Sequence, residues 1–149
     1  MSATVDANIL VYASNESDVA YGPARATVER LAAGPDLVYL FWPAIMGYLC
    51  IVTHPSILPK PLTFAEAAAN ISALLERPHI RAPGEAEGFW ELYCATAGKQ
   101  VRANNVPDAH LAALMRQHGV STIFTRDRGF RRYEGIQAHD PIVTEIIEH

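Results

Sequence analysis

Short apolar runs that read as strands mark this chain, and two of them are closed by aspartate. Asp6 follows Ala3-Thr4-Val5, and Asp127 follows Ser121-Thr122-Ile123-Phe124-Thr125-Arg126. Helical patterns separate the strands, so the sequence reads as an α/β alternation with a parallel sheet. A third acid, Asp108, lies in Val106-Pro107-Asp108-Ala109-His110-Leu111, the first turn of one such helix. In an open parallel sheet the carboxyl ends of strands and the adjoining helix N-termini share one edge, where ligands bind. Acids a hundred positions apart can therefore meet. Clustered carboxylates repel by roughly 4 kcal/mol per pair at about 4 Å and an effective dielectric near ~20, and a divalent cation relieves that cost. A hard-metal site is the first expectation.

The chain has 149 residues, enough for one domain with a proper core, and residues 1–149 are read as a single domain. Pro, Gly and charge interrupt every apolar run, so none is a membrane span. The opening reads straight into a strand, without the basic region or cleavage site expected of a secretory signal. Cys50 and Cys94 have no metal-type spacing and read as two buried free thiols, which fits a cytoplasmic location, with a disulfide between them as the alternative. The net charge of −4 carries no global nucleic-acid signal. Its distribution does: Lys99, Arg102, Arg116, Arg126, Arg128, Arg131 and Arg132 share their stretch with only Asp108 and Asp127. A basic rim around an acidic metal centre suits a phosphodiester. A solvated charged face is the plainer alternative.

The element pass runs as follows. Residues 3–6 form the first strand, then a short helix from Asn8 to about Ser14. A helix spans Tyr21–Ala33, stopped by Gly34-Pro35, and Leu37–Leu40 is a buried strand. Trp42-Pro43 opens a helix to about Thr53. Thr63 with Glu66 makes a capping box for Thr63–Leu75. His79-Ile80 is a very short strand, and a helix is expected over Gly84–Ala97, ending at Gly98. A helix from Pro107 to His118, a strand over Thr122–Thr125, a turn at Arg128–Tyr133 and a strand near Gln137–His139 complete the chain.

These segments resemble the PIN-domain ribonucleases, and specifically the VapC-type toxins of bacterial toxin–antitoxin pairs. Val5-Asp6-Ala7-Asn8-Ile9-Leu10-Val11-Tyr12 is similar to the first acidic motif of that family. Trp42-Pro43 through Ile51-Val52-Thr53-His54-Pro55 is similar to its helix-borne second segment, Pro107-Asp108-Ala109-His110 to its third, and Thr125-Arg126-Asp127-Arg128-Gly129-Phe130 to its fourth. The resemblance covers almost the whole chain, in order. It implies a three-layer α/β/α fold around a small central parallel sheet. It also implies an endoribonuclease that leaves 5′-phosphate and 3′-hydroxyl ends and inhibits translation or growth. One position departs from the pattern: where many members carry glutamate, this chain has Gly47, and a usual basic residue three positions on is Cys50. Two readings follow. Either the site works with three acids and Gly47 lets its helix pack close to a neighbour, or catalysis is reduced and the chain is a silent PIN-like module that binds RNA or protein.

Oxygen donors with retained waters suit Mg²⁺ or Mn²⁺ better than zinc. Asp6 and Asp108 are expected as the principal ligands, with Asp127 completing the catalytic cluster directly or through water. Each acid also has a plain local use: Asp6 as a helix cap, Asp108 with a helix dipole, Asp127 in a turn. Asn8 is a candidate partner for the acids, Thr125 for the Asp127 carboxylate, and Arg126 and Arg128 for phosphate. His110 and His54 read as packing and helix-end residues. The aromatics Phe41, Trp42, Tyr48, Phe89, Trp90 and Tyr93 read as core or interface. A haloacid-dehalogenase-type phosphatase would want a second aspartate where Asn8 stands. The expected partners, from the resemblance, are RNA, a VapB-like antitoxin and a second copy of the chain in a homodimer, with the helices around Trp42–Val52 and Phe64–Leu75 offering the surface.

Overall fold

The computed structural model describes residues 2–143. Strand β1 (Ser2–Val5) leads through helices α1 (Ala7–Tyr12) and α2 (Tyr21–Ala33) to β2 (Leu37–Tyr39). Helices α3 (Trp42–Val52) and α4 (Phe64–Leu75) carry the chain to β3 (Ile80–Arg81), and α5 (Phe89–Ala97) and α6 (Asn105–Gln117) to β4 (Thr122–Phe124). A 3-10 helix over Arg128–Arg132 precedes β5 (Gln137–His139). The five strands form one parallel sheet in the order β3-β2-β1-β4-β5.

Strand β1 is therefore central. The chain leaves it toward β2 and β3, then crosses back to lay β4 on its other side. The gap between the carboxyl ends of β1 and β4 is the topological switch point, where open α/β sheets bind ligands.

Register explains the layers. Thr4 pairs with Tyr39 and with Ile123, and Ile123 and Tyr39 pack with Leu111, Leu114 and Met115 of α6. Alternate residues point the other way: Val5 and Val38 join Ile9, Ile45, Tyr48 and Ile71 of α1, α3 and α4. The period of two sends successive side chains to opposite faces, and helices cover both. The expected three-layer architecture is the one observed. Among the described residues no helix is long and apolar enough to cross a membrane.

Helix α2 and the capping box hold as expected: Thr63 Oγ1 accepts from the Glu66 N–H (3.1 Å), and Glu66 Oε1 from the Thr63 N–H (3.0 Å). Helix α5 does not begin at Gly84. The Gln117 side chain accepts from the Ala86 N–H (2.8 Å) and donates to the carbonyls of Ala86 and Glu87, so this backbone is satisfied from α6 instead of by its own helix. Gly88, at φ 81°, then turns the chain into α5.

The cysteines are exposed, not buried. Helix α3 buries Ala44, Ile45, Tyr48 and Val52, so Trp42, Met46 and Cys50, each four apart, fall on the outward stripe. Cys94 shares the outward stripe of α5 with Trp90. Phe41 and Tyr48 are core, as expected, but Trp42 is 40% and Trp90 69% exposed.

An acidic site at the topological switch point

Asp6 leaves β1 in extended conformation and caps α1, its Oδ1 accepting from the Ala7 N–H at 2.7 Å. The capping use and the site use coexist, because the second oxygen is turned to the neighbouring strand end. There Thr125 Oγ1 donates to Asp6 Oδ2 (2.8 Å) and accepts from the Asp127 N–H (2.9 Å) and from Asn8 Nδ2 (3.3 Å). One hydroxyl thus uses its single donor and both lone pairs, and Thr125 is only 2% exposed. Asn8 Oδ1 accepts from the Arg126 N–H at 3.3 Å, closing the link between the ends of β1 and β4. The sequence suggested that Thr125 orients the Asp127 carboxylate. Its hydroxyl instead serves the Asp6 carboxylate and the Asp127 backbone, since the adjacent parallel strand brings Asp6 within reach.

The Asp127 carboxylate caps the 3-10 helix, Oδ1 accepting from the Gly129 N–H at 2.8 Å. A Cβ at Gly129 would stand 2.9 Å from that oxygen and 2.7 Å from Arg132 Nη2. Glycine is needed there for close approach, not for an unusual φ. Asp108 sits in the first turn of α6, within hydrogen-bonding reach of Asp127.

Electrostatics show that the three acids share one field. Burial, the hydrogen bond to Asp127, and the charges of Asp127 and Asp6 push the Asp108 pKa up to about 7, against the Arg132 guanidinium. Burial also raises Asp6, with Thr125 and the Ala7 N–H pulling back. A hydrogen bond between two carboxyl groups requires a proton, and a cation can take that proton's place. Among the described residues no group of three or more His, Cys, Asp or Glu side chains is arranged to hold a metal ion. Hard oxygen donors that crowd one another, too few to enclose an ion, fit a cation that keeps several of its waters.

The remaining candidates sort by what they touch. Arg126 contacts Asp140 (3.4 Å) and lies 5.5 Å from the Tyr12 ring centroid, whereas Arg128 is exposed. Arg116 is structural, donating to Thr96 Oγ1 and the Glu134 carbonyl. His110 contacts Glu85 (2.6 Å), and His54 Nδ1 accepts from the Ser56 N–H. Gly47 faces α1: a Cβ there would lie 3.2 Å from the Ala7 Cβ, one residue past Asp6. Close helix packing is the role this glycine plays. Arg132 was not singled out in the sequence from its basic neighbours. Its place at the far end of a 3-10 turn capped by Asp127 is the signal that could have found it.

The PIN domain pattern matches residues 3–136 of the chain. Ribonuclease VapC48 of Mycobacterium tuberculosis (strain ATCC 25618 / H37Rv) is 49% identical over 142 residues, covering 95% of this chain and 98% of its own length. Ribonuclease VapC37 of the same strain is 31% identical, with 92% and 95% covered. Among solved structures, VapBC2 from Rickettsia felis, bound to a DNA fragment from its promoter, superposes with a TM-score of 0.66 at 14% identity, covering 93% of this chain and 98% of that one. VapC20 from Mycobacterium tuberculosis, a toxin described as cleaving the sarcin-ricin loop, gives 0.64 at 16%, covering 91% and 98%.

Proposed function

The chain belongs to the PIN-domain family and, within it, to the VapC ribonucleases, and we propose that its acidic edge hydrolyses RNA phosphodiester bonds with Mg²⁺ or Mn²⁺. The convergence of Asp6, Asp108 and Asp127 at the β1/β4 switch point carries this reading. Their mutual repulsion is what a divalent cation would relieve.

Asp6 and Asp108 would hold the ion, and Asp127 would complete the cluster. A divalent cation held there would supply polarisation of a phosphoryl oxygen and a lowered pKa for a bound water. The protein supplies orientation: Thr125 and the Ala7 N–H fix both oxygens of Asp6, and Gly129 fixes one of Asp127. Arg132, held on the Gly129 carbonyl next to the Asp127 carboxylate, and exposed Arg128 are placed to meet phosphate. The silent-module alternative is not favoured, since the similar proteins are named ribonucleases and Gly47 has a packing role.

A toxin function follows from the same relatives. The solved structures similar in fold include VapBC2, a toxin–antitoxin complex from Klebsiella pneumoniae and FitAB bound to DNA, so we assign this chain a VapB-like antitoxin, together with homodimer formation and a cytoplasmic location. The exposed stripe of Trp42 and Met46, with Phe64 nearby in sequence on α4, offers apolar surface for such contacts.

Induced expression in a bacterial host, wild type beside Asp6→Ala, with sequencing of new RNA 5′ ends, tests the activity. Growth arrest with discrete new ends in the wild type alone is expected. Equal cleavage by Asp6→Ala would refute the site. Co-purification with the product of the adjacent reading frame tests the antitoxin, and its failure to bind would remove that partner.

A further inference from the structure

The 3-10 helix over Arg128–Arg132 turns once in three residues, so side chains three apart share one side of it. That period gives the segment three faces. Phe130 and Tyr133 form the first, both buried, with ring centroids 6.0 Å apart. Gly129 and Arg132 form the second, toward the acids: Arg132 Nε donates to the Gly129 carbonyl at 2.9 Å, and the Gly129 N–H holds Asp127. The third pairs Arg128 with Arg131. Both are exposed, and among the described residues neither guanidinium has an ion pair or a hydrogen bond.

These two arginines border a cavity of about 170 Å³, whose wall also contains Thr125, Arg126, Asp127 and Asp140. Thr125 and Asp127 belong to the acidic site as well, so the cavity and the site share a wall. A drug-sized molecule needs about 300–1,000 Å³ and would not fit. The acids of the cavity are committed. Asp140 Oδ1 accepts from the Ile142 and Val143 N–H groups (3.0 and 3.3 Å), its Oδ2 faces Arg126 Nε at 3.4 Å, and Asp127 Oδ1 accepts from Gly129. What stays uncommitted is a pair of like charges on one side of a short helix. Side by side they repel, and an anion between them turns that repulsion into attraction. Guanidinium groups match phosphate oxygens with paired N–H donors.

We propose that this cavity is a phosphate subsite, in which Arg128 and Arg131 hold the RNA phosphate next to the scissile one. The proposal rests on the ribonuclease reading of the acids, and it adds the course of the strand, from the β1/β4 edge over the 3-10 helix. A group that holds a phosphate away from the reacting bond binds substrate and transition state alike. It therefore acts on KM and leaves kcat alone.

The test compares the full wild-type chain with Arg128→Gln/Arg131→Gln, in Mn²⁺, on an RNA that the wild type cuts. The same RNA is also made with a neutral methylphosphonate at the linkage on either side of the cut. The double variant should raise KM about 5- to 30-fold, as expected for two exposed charge contacts, with kcat within about twofold. Its slope of log KM against log salt should be shallower by about 0.7, for one lost phosphate contact on a single strand. The methylphosphonate at one flanking linkage should cost the wild type a similar factor and the double variant almost nothing. Its melting temperature should not fall, since two repelling charges are removed. An unchanged KM, a loss in kcat instead, or equal methylphosphonate penalties in both proteins would overturn the subsite and leave the acids standing. A lower melting temperature with an unchanged salt slope would show a structural role and overturn it equally. If the wild type cut no RNA, the ribonuclease reading itself would fall, and the subsite with it.

Discussion

Replacing Asp108 by asparagine should stabilise the metal-free protein while destroying its activity. Folding raises the Asp108 pKa from 3.8 to about 7, so the folded chain holds this proton more tightly than the unfolded one. The sign follows from linkage. The stabilisation is fully present below the unfolded pKa and is lost as pH rises through the folded value. A shift of this size corresponds to about 4 kcal/mol at roughly 1.4 kcal/mol per pH unit. Asp108 is only half-buried, so solvent screening reduces the expected figure to about 2 kcal/mol. Asn has the same shape, cannot ionise, and can donate its amide to Asp127. In EDTA at pH 8, Asp108→Asn should therefore exceed wild type by about 2 kcal/mol in urea unfolding, or roughly 4–8 °C in Tm for a chain of this size. Near pH 4 the difference should shrink toward zero. Added Mg²⁺ should raise the wild-type Tm, since a ligand bound only by the folded state stabilises it, and should barely move the variant. A variant less stable than wild type at pH 8, or a difference independent of pH, would refute the picture of acids held together against their charge.

Three further outcomes follow from contacts described above. Thr125→Ala leaves Asp6 Oδ2 only the long 3.5 Å bond from Asn8 Nδ2, strands the Asp127 N–H, and should cost about 1–3 kcal/mol in thermal or urea unfolding; Thr125→Ser should restore most of it. Asp6→Ala should lower RNA cleavage by at least about a hundredfold, comparable to losing a preorganised electrostatic group, measured as initial rates on an RNA that the wild type cuts. For Gly47→Ala, a helix-propensity gain of about 1 kcal/mol opposes the tight contact with Ala7 Cβ. The single variant should be near neutral, and a double-mutant cycle with Ala7→Gly should show coupling of about 0.5–1 kcal/mol. Zero coupling would mean the helices do not meet there.

The alternation of short strands and capped helices was legible because each is a local pattern. Helix α2, the Thr63–Glu66 box and the acids closing β1 and β4 needed no knowledge of the partner strands. What was not legible depends on pairing. Thr125 reads along the chain as a neighbour of Asp127, yet β1 beside β4 delivers its hydroxyl to Asp6. Gln117 takes over the backbone before α5 from a position about thirty residues away, which no local propensity encodes. Cys50 and Trp42 are apolar by type and exposed by helical phase, and Gly47 gained its meaning only when Ala7 was seen against it.

The order in which the sheet is laid down also sets when the protein can act. Asp6 is among the first residues made, and Asp108 comes 108 − 6 = 102 positions later. At about 5–20 residues per second, a ribosome needs roughly 5–20 s to travel between them. Until β4 arrives, β1 has a neighbour on one side only, and Asp6 lacks both Thr125 and the nearby Asp127. A translation product interrupted before β4 should therefore lack RNA-cleaving activity, measured on a chain truncated after Gln117. For a ribonuclease built on this fold, the acids of the edge meet only when nearly the whole of the sheet has been synthesised and folded.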